Sequence, residues 1–242
     1  MRILIISDIH ANLTAFDAVL ADAVGEWEQV WCLGDVIGYG PDPNECIDRL
    51  KELDPVALSG NHDWAVLGKL DITTFNRDAR YAIEWTRSEL TEASRGWLDA
   101  LPPSIPQPVY SLAHGSPRHP VWEYIMDEGT ATVNFAFFDS TYCLVGHTHT
   151  PVIFEQVDSM RVVARMPIYN QPIQLDRTRL IINPGSVGQP RDSDPRACYA
   201  ILDTELNTWE YRRVEYDIEA TQERMRKHNM PSRLVNRLAY GW

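Results

Sequence analysis

The 242-residue chain carries 22 basic and 34 acidic residues, a formal net charge of −12, with 44% hydrophobic and 23% charged residues. A globular chain this long buries a core without disulfide staples, and without a linker-like stretch it is expected to form one domain over 1–242. The acidic balance speaks against stable binding to a nucleic-acid duplex, but bound cations can reverse the field locally for a small anionic substrate.

Along the chain, short apolar runs end in polar, Gly-rich clusters. Ile3 to Ile6 leads to Ser7-Asp8-Ile9-His10, and Asn12 then caps a helix with Leu13, Phe16, Leu20 and Ala23 on its apolar face. Val30 to Leu33 leads to Gly34-Asp35, before a helix from near Pro43 that carries Cys46, Ile47 and Leu50. Val56 to Leu58 leads to Ser59-Gly60-Asn61-His62-Asp63. A helix over Arg77 to Leu90 places Tyr81, Ile83, Trp85 and Leu90 on a less defined face, and Thr91 caps a short one ending at Leu101.

Val109 to Ala113 then leads to His114-Gly115-Ser116, and Tyr142 to Val145 to Gly146-His147-Thr148-His149. Strands follow over Val152 to Phe154, Arg161 to Arg165 and Leu180 to Ile182, the last leading to Asn183-Pro184-Gly185-Ser186. Cys198 to Leu202 and Trp209 to Val214 complete the strands. A helical tail runs from about Asp217 to Asn229, with another short helix after Pro231. Continuously apolar runs bounded by turn residues read as buried strands, so the class is α/β: a two-sheet β-sandwich flanked by helices.

Ligands gather at the carboxyl ends of strands in such layered proteins, and here six strand ends carry metal- or phosphate-binding residue types. Five of the seven histidines lie in these clusters: His10, His62, His114, His147 and His149. Asp8 and His10 are two residues apart, as are His147 and His149. In extended chain that spacing points both side chains to one side, so each pair is expected to face one metal site. Imidazole, carboxylate and the Asn61 amide suit manganese, iron, zinc, cobalt or nickel. So many donors exceed the need of one ion; two ions about 3.5–4 Å apart would use them in phosphoryl displacement.

Any one of these clusters alone is an ordinary turn or cap; the set as a whole resembles the calcineurin-like metallophosphoesterase family, and most of all its compact bacterial and archaeal branch. The resemblance rests on Asp8-Ile9-His10, Gly34-Asp35, Gly60-Asn61-His62-Asp63, His114-Gly115 and Gly146-His147-Thr148-His149, with Asn183-Pro184-Gly185-Ser186 continuing it. It implies an αββα sandwich and two divalent or trivalent metal ions whose bridging hydroxide attacks phosphorus. Asp8, His10 and His149 would hold the first ion, Asn61, His114 and His147 the second, and Asp35 would bridge them. His62 would be the general acid. Asp63 is either part of this motif or the N-cap of a helix over Trp64 to Leu67. The protein Ser/Thr phosphatase branch continues its second motif with an Asp and an Arg; here Gly38 and Tyr39 stand there, which argues against a phosphoprotein substrate.

The missing phosphate-binding Arg needs a substitute. The loop Asn183 to Arg191 offers backbone N–H groups that could face an anion, and Arg191 offers a forked donor. Its alternative is a chain reversal in which Arg191 pairs with Asp192 or Asp194. Tyr39, through its hydroxyl, is the second candidate.

The expected activity is hydrolysis of a small phosphate monoester or diester. The alternatives are a dinucleoside polyphosphate, a nuclease substrate, or a catalytically silent metal-binding scaffold, from which an intact His62 separates the enzyme. Cys32, Cys46, Cys143 and Cys198 form no close-spaced pair, so a reduced, cytoplasmic setting is expected. No apolar run spans a membrane, and Met1 to Ile6 is too short for a signal-peptide core.

Overall fold

The computed structural model describes residues 1–159, 161–176 and 178–242. Two six-stranded sheets face each other. The first has the order β3-β2-β1-β11-β12-β9, from β1 (Arg2–Ile6), β2 (Gln29–Cys32), β3 (Val56–Ala57), β9 (Ile173–Gln174), β11 (Ala197–Asp203) and β12 (Thr208–Val214). The second has the order β4-β5-β6-β10-β7-β8, from β4 (Ser104–Ile105), β5 (Tyr110–Ala113), β6 (Tyr142–Val145), β7 (Val152–Gln156), β8 (Val162–Arg165) and β10 (Leu180–Asn183).

The parallel strands decide where the site lies. β1, β2 and β3 run parallel in one sheet, and β5, β6 and β10 in the other. These are the six strands whose ends carry the polar clusters. Antiparallel strands flank each group, β11 beside β1 and β7 beside β10.

The runs are continuously apolar because both faces of each central strand are covered. Ile3 and Ile5 of β1 face the inter-sheet core with Leu112, Leu144 and Ile182. Leu4 and Ile6 face outward, against Phe16 and Val19 of α1 (Leu13–Asp22) and Ile47 of α2 (Pro43–Lys51). Each such side chain is fully buried, a stabilisation of roughly 1.5–3 kcal/mol. On the outer face of the second sheet, Cys143, Val145 and Ile181 pack with Ala131 of α6 (Glu128–Asn134).

Asn12 caps α1 by accepting from the Ala15 N–H, and Thr91 caps α5 (Glu92–Asp99) through the Ser94 N–H; α5 ends at Asp99, short of the expected Leu101. In α4 (Arg77–Glu89) the buried face is Ala79, Ala82, Ile83 and Thr86, while Tyr81 is exposed: small residues let the helix approach closely and the aromatic ring turns outward. α3 (Asn61–Leu67) begins at Asn61, so Asp63 is its third residue and not its N-cap. The tail forms α7 (Ile218–Lys227), capped by Asp217, and α8 (Ser232–Arg237). Met225, Leu234, Val235 and Leu238 pack with Ala79, Ala82 and Tyr39, which brings the tail onto the loop after β2.

Candidate metal centre

The ends of the six parallel strands converge on one buried cluster. Asp8, His10, Asp35 and His149 present donor atoms within 4.8 Å of one another, and so do Asp35, His114 and His147. Asp35 belongs to both groups. Asn61 joins the second through its Oδ1, 3.2 Å from His114 Nε2. All eight candidate residues, His62 included, are buried.

His147 and His149 therefore fall in different groups, and the expectation that each two-residue pair faces one site fails for them. The cause is the backbone. Asp8, His10, Asp35, His147 and His149 have φ of 53°, 48°, 51°, 66° and 59°, in the left-handed region where extended-chain geometry does not hold. Such a conformation costs of order 1–3 kcal/mol per non-Gly residue and persists at sites that require it.

The cluster is held by a division of labour within each side chain. Asp8 Oδ2 accepts from Ser7 Oγ at 2.7 Å and from the His147 N–H at 3.1 Å, while its Oδ1 has no hydrogen-bond partner. Asp35 Oδ1 accepts the His62 N–H at 2.8 Å, and Oδ2 is left without a partner. That Oδ2 lies 3.6 Å from His10 Nε2 and 3.4 Å from His114 Nε2. Nδ1 of His10, His114 and His149 lies 3.2, 2.8 and 2.6 Å from the carbonyls of Ile37, Leu33 and Gln189. A proton on each Nδ1 satisfies those carbonyls and turns the Nε2 lone pair inward, as in metal-ligating histidines. His10 Nε2 and His149 Nε2 approach to 3.0 Å, and His147 Nε2 is buried without a partner. Buried acceptors aimed at one another without donors between them are the arrangement that a cation satisfies.

Burial and the Asp35–His114 contact set the electrostatics of the cluster. Burial pushes His10, His147 and His149 well below the usual imidazole range, keeping them neutral. Burial also lowers His114, but the Asp35 carboxylate outweighs it and raises this ring to about 9. Burial would raise Asp35; the charge of His114 beside it wins and holds it well below the carboxylate range. Burial, opposed by the His114 charge, raises Asp8 to about 7.

His62 stands beside the cluster, outside both groups. Its ring packs against Tyr39 at 4.3 Å, His10 at 5.0 Å and Phe75 at 5.5 Å. Nδ1 of His62 is buried and unpartnered, and a Cβ on Gly38 would lie 2.8 Å from it. Where the phosphatase branch has its orienting Asp, backbone and an aromatic ring are what touch this imidazole. Asp63 accepts instead from the N–H groups of Gly60, Ile37 and Val36 at 2.8, 3.1 and 3.3 Å, tying α3 to the Asp35 loop.

The Asn183–Arg191 loop departs from expectation. Four of its N–H groups are engaged within the protein: Gly185 with Asn183 Oδ1, Val187 with the Ser7 carbonyl, Gly188 with the Asp8 carbonyl and Gln189 with Ser186 Oγ. Asn183 Nδ2 donates to the Gly146 carbonyl at 2.7 Å and to Thr148 Oγ1 at 3.0 Å. The loop thus buttresses the Asp8 and His147–His149 turns and does not present an anion nest. Arg191 pairs with neither Asp192 nor Asp194, which are bound to Arg213 and Arg196. Its guanidinium lies 5.9 Å from the Tyr39 ring and donates to Gln189 Oε1. Tyr39 is buried, with its ring against His10 and His62. Tyr124, stacked on His147 at 3.8 Å, had no distinguishing signal in sequence.

Two layers of mixed sheet lie between helices, and a carboxylate at their strand ends is shared by two buried groups able to hold a metal ion. The model of the calcineurin-like phosphoesterase superfamily domain matches residues 1–207, and the chain belongs to that family. It is 45% identical to a metallophosphoesterase from Sphaerobacter thermophilus, whose structure superposes with a TM-score of 0.92 over 100% of this chain and 99% of that one. It is 37% identical to an uncharacterized protein of Methanocaldococcus jannaschii, over 99% of this chain and 98% of that protein. A hypothetical protein from Pyrococcus horikoshii shares the fold at 19% identity, with a TM-score of 0.80 over 100% of this chain and 98% of that one. The protein is a metallophosphoesterase. Among the described residues no helix is long and apolar enough to cross a membrane.

Proposed function

We propose that the protein hydrolyses a small phosphate monoester or diester using two transition-metal ions. One observation carries this: Asp35 Oδ2, buried and without a partner, is common to both ligand groups. Asp8, His10 and His149 would hold one ion, Asn61, His114 and His147 the other, and Asp35 would bridge them. Such ions supply positive charge for the phosphoryl oxygens and a water acidic enough to attack at neutral pH. The oxygen and nitrogen donor set suits manganese, iron, zinc or nickel, manganese being the first to test.

His62 would donate a proton to the leaving oxygen. Its backbone N–H is anchored on Asp35 Oδ1, and three rings fix its imidazole. Burial lowers it to about 4 in the protein alone, and the negative charge of a bound phosphate would raise it. Arg191 would orient a phosphoryl oxygen at the rim. Tyr39 would act through its ring, which steadies His62; burial raises its hydroxyl pKa, so the group stays neutral. Four buried free cysteines support a cytoplasmic setting.

The test is metal removal. Exhaustive chelation, verified by elemental analysis, should abolish hydrolysis of a p-nitrophenyl phosphodiester, and manganese should restore it. Full activity in verified metal-free protein refutes the proposal.

A further inference from the structure

Two adjoining clefts lie beside the metal cluster, the smaller reaching it at Asn61. One, of 300 Å3, is lined by Asn61, His62 and Trp122; the other, of 960 Å3, by Arg77, Arg191, Arg233 and Arg237. Tyr39, Asn76 and Tyr124 line both, so the two form one trough running from His62 to the tail helix α8.

Four guanidiniums in one cleft are notable in a chain with 34 acidic residues. Asp78 is the single carboxylate side chain lining it. Among the described residues none of the four pairs with a carboxylate side chain; Arg237 Nε donates to the Trp242 oxygen and Arg191 Nη2 to Gln189 Oε1. Arg233 and Arg237 stand four residues apart on α8 and so share a face. Arg191 Nε is buried without an acceptor. Burial, then the charges of Arg191 and Arg233, lower Arg237 to about 10, a mutual repulsion that an anion would relieve.

We propose that this arginine cleft is a subsite for a second phosphoryl group, so that the preferred substrate is a phosphate ester or anhydride carrying a distal phosphate. The proposal rests on the phosphoesterase reading of the metal cluster, whose ions would hold the phosphoryl group that is cleaved. Arg191 stands between the two sites, and Arg233 and Arg237 take the distal group.

Two measurements test it. The first is calorimetric binding of inorganic pyrophosphate to metal-free protein, wild type against Arg237→Ala and Arg233→Glu; Arg233 is exposed, so its replacement leaves the fold intact. Each substitution should weaken binding roughly ten- to hundredfold, the range of one charge-assisted hydrogen bond. The second compares the manganese-loaded enzyme on thymidine 5′-(p-nitrophenyl phosphate) and on the same ester carrying a 3′-phosphate. Wild type should prefer the phosphorylated ester in kcat/KM, and both substitutions should shrink the ratio. No pyrophosphate binding, binding indifferent to both substitutions, or a wild-type ratio of one overturns the subsite. Arginine-dependent binding with neither ester hydrolysed keeps the subsite and overturns the diesterase reading instead.

Discussion

Gly38→Ala tests how His62 is held. Gly38 has φ of 95°, and an added Cβ would sit 2.8 Å from His62 Nδ1 and 3.0 Å from its Cβ and Cγ. The ring cannot simply step aside, because Tyr39, His10 and Phe75 surround it. A left-handed backbone with a Cβ costs about 1–2 kcal/mol, and overpacking a tight site a further 1–3 kcal/mol or so. If the ring holds its place, the variant loses the sum, roughly 2–5 kcal/mol. If the ring yields, the stability loss falls toward the lower figure, but a misplacement of about 1 Å lowers turnover by about 10²-fold. Urea unfolding followed by steady-state turnover of the manganese-loaded enzyme reads both. A variant within about 0.5 kcal/mol of wild-type stability and twofold of its turnover refutes this account of His62.

His62→Asn should lower turnover by roughly 10²–10⁴ while metal content is kept, with a smaller loss for leaving groups that need no proton. Metal loss measured in that variant would make His62 a ligand. Asp35→Asn should deplete both ions in elemental analysis, because its carboxylate is common to the two groups; loss of one equivalent alone would remove its bridging role. Asn183→Ala frees the Gly146 carbonyl and Thr148 Oγ1, and should weaken metal affinity about 10- to 100-fold with no ligand changed. Unchanged metal titration there would return Asn183 to a purely structural role.

The six strand-end clusters were legible in sequence because strand and turn are local: an apolar run of four residues followed by Gly, Asp, Asn or His has few other readings. The caps Asn12 and Thr91 were legible for the same reason. The resemblance likewise pointed to Asp35 as the shared carboxylate, and the structure brings it into both groups. Spacing misled at His147 and His149, since it converts to direction only when the backbone conformation is known. Both histidines have a left-handed φ.

Other features depend on distant partners. Whether the N–H groups of the Asn183–Arg191 loop are free for an anion depends on Ser7 and Asp8, near the other end of the chain. Whether Asp63 caps its helix or ties it to another loop depends on where Val36 and Ile37 lie. The tail read in sequence only as two helices; its packing against Ala79, Ala82 and Tyr39 is what carries Arg233 and Arg237 to the rim beside Arg191. The sequence by itself thus determined the chemistry available at each strand end, because residue type and local backbone preference travel together. Tertiary structure alone decided which groups meet, which hydrogen bonds are already taken and which charges go unpaired, because those depend on chain segments up to two hundred residues apart.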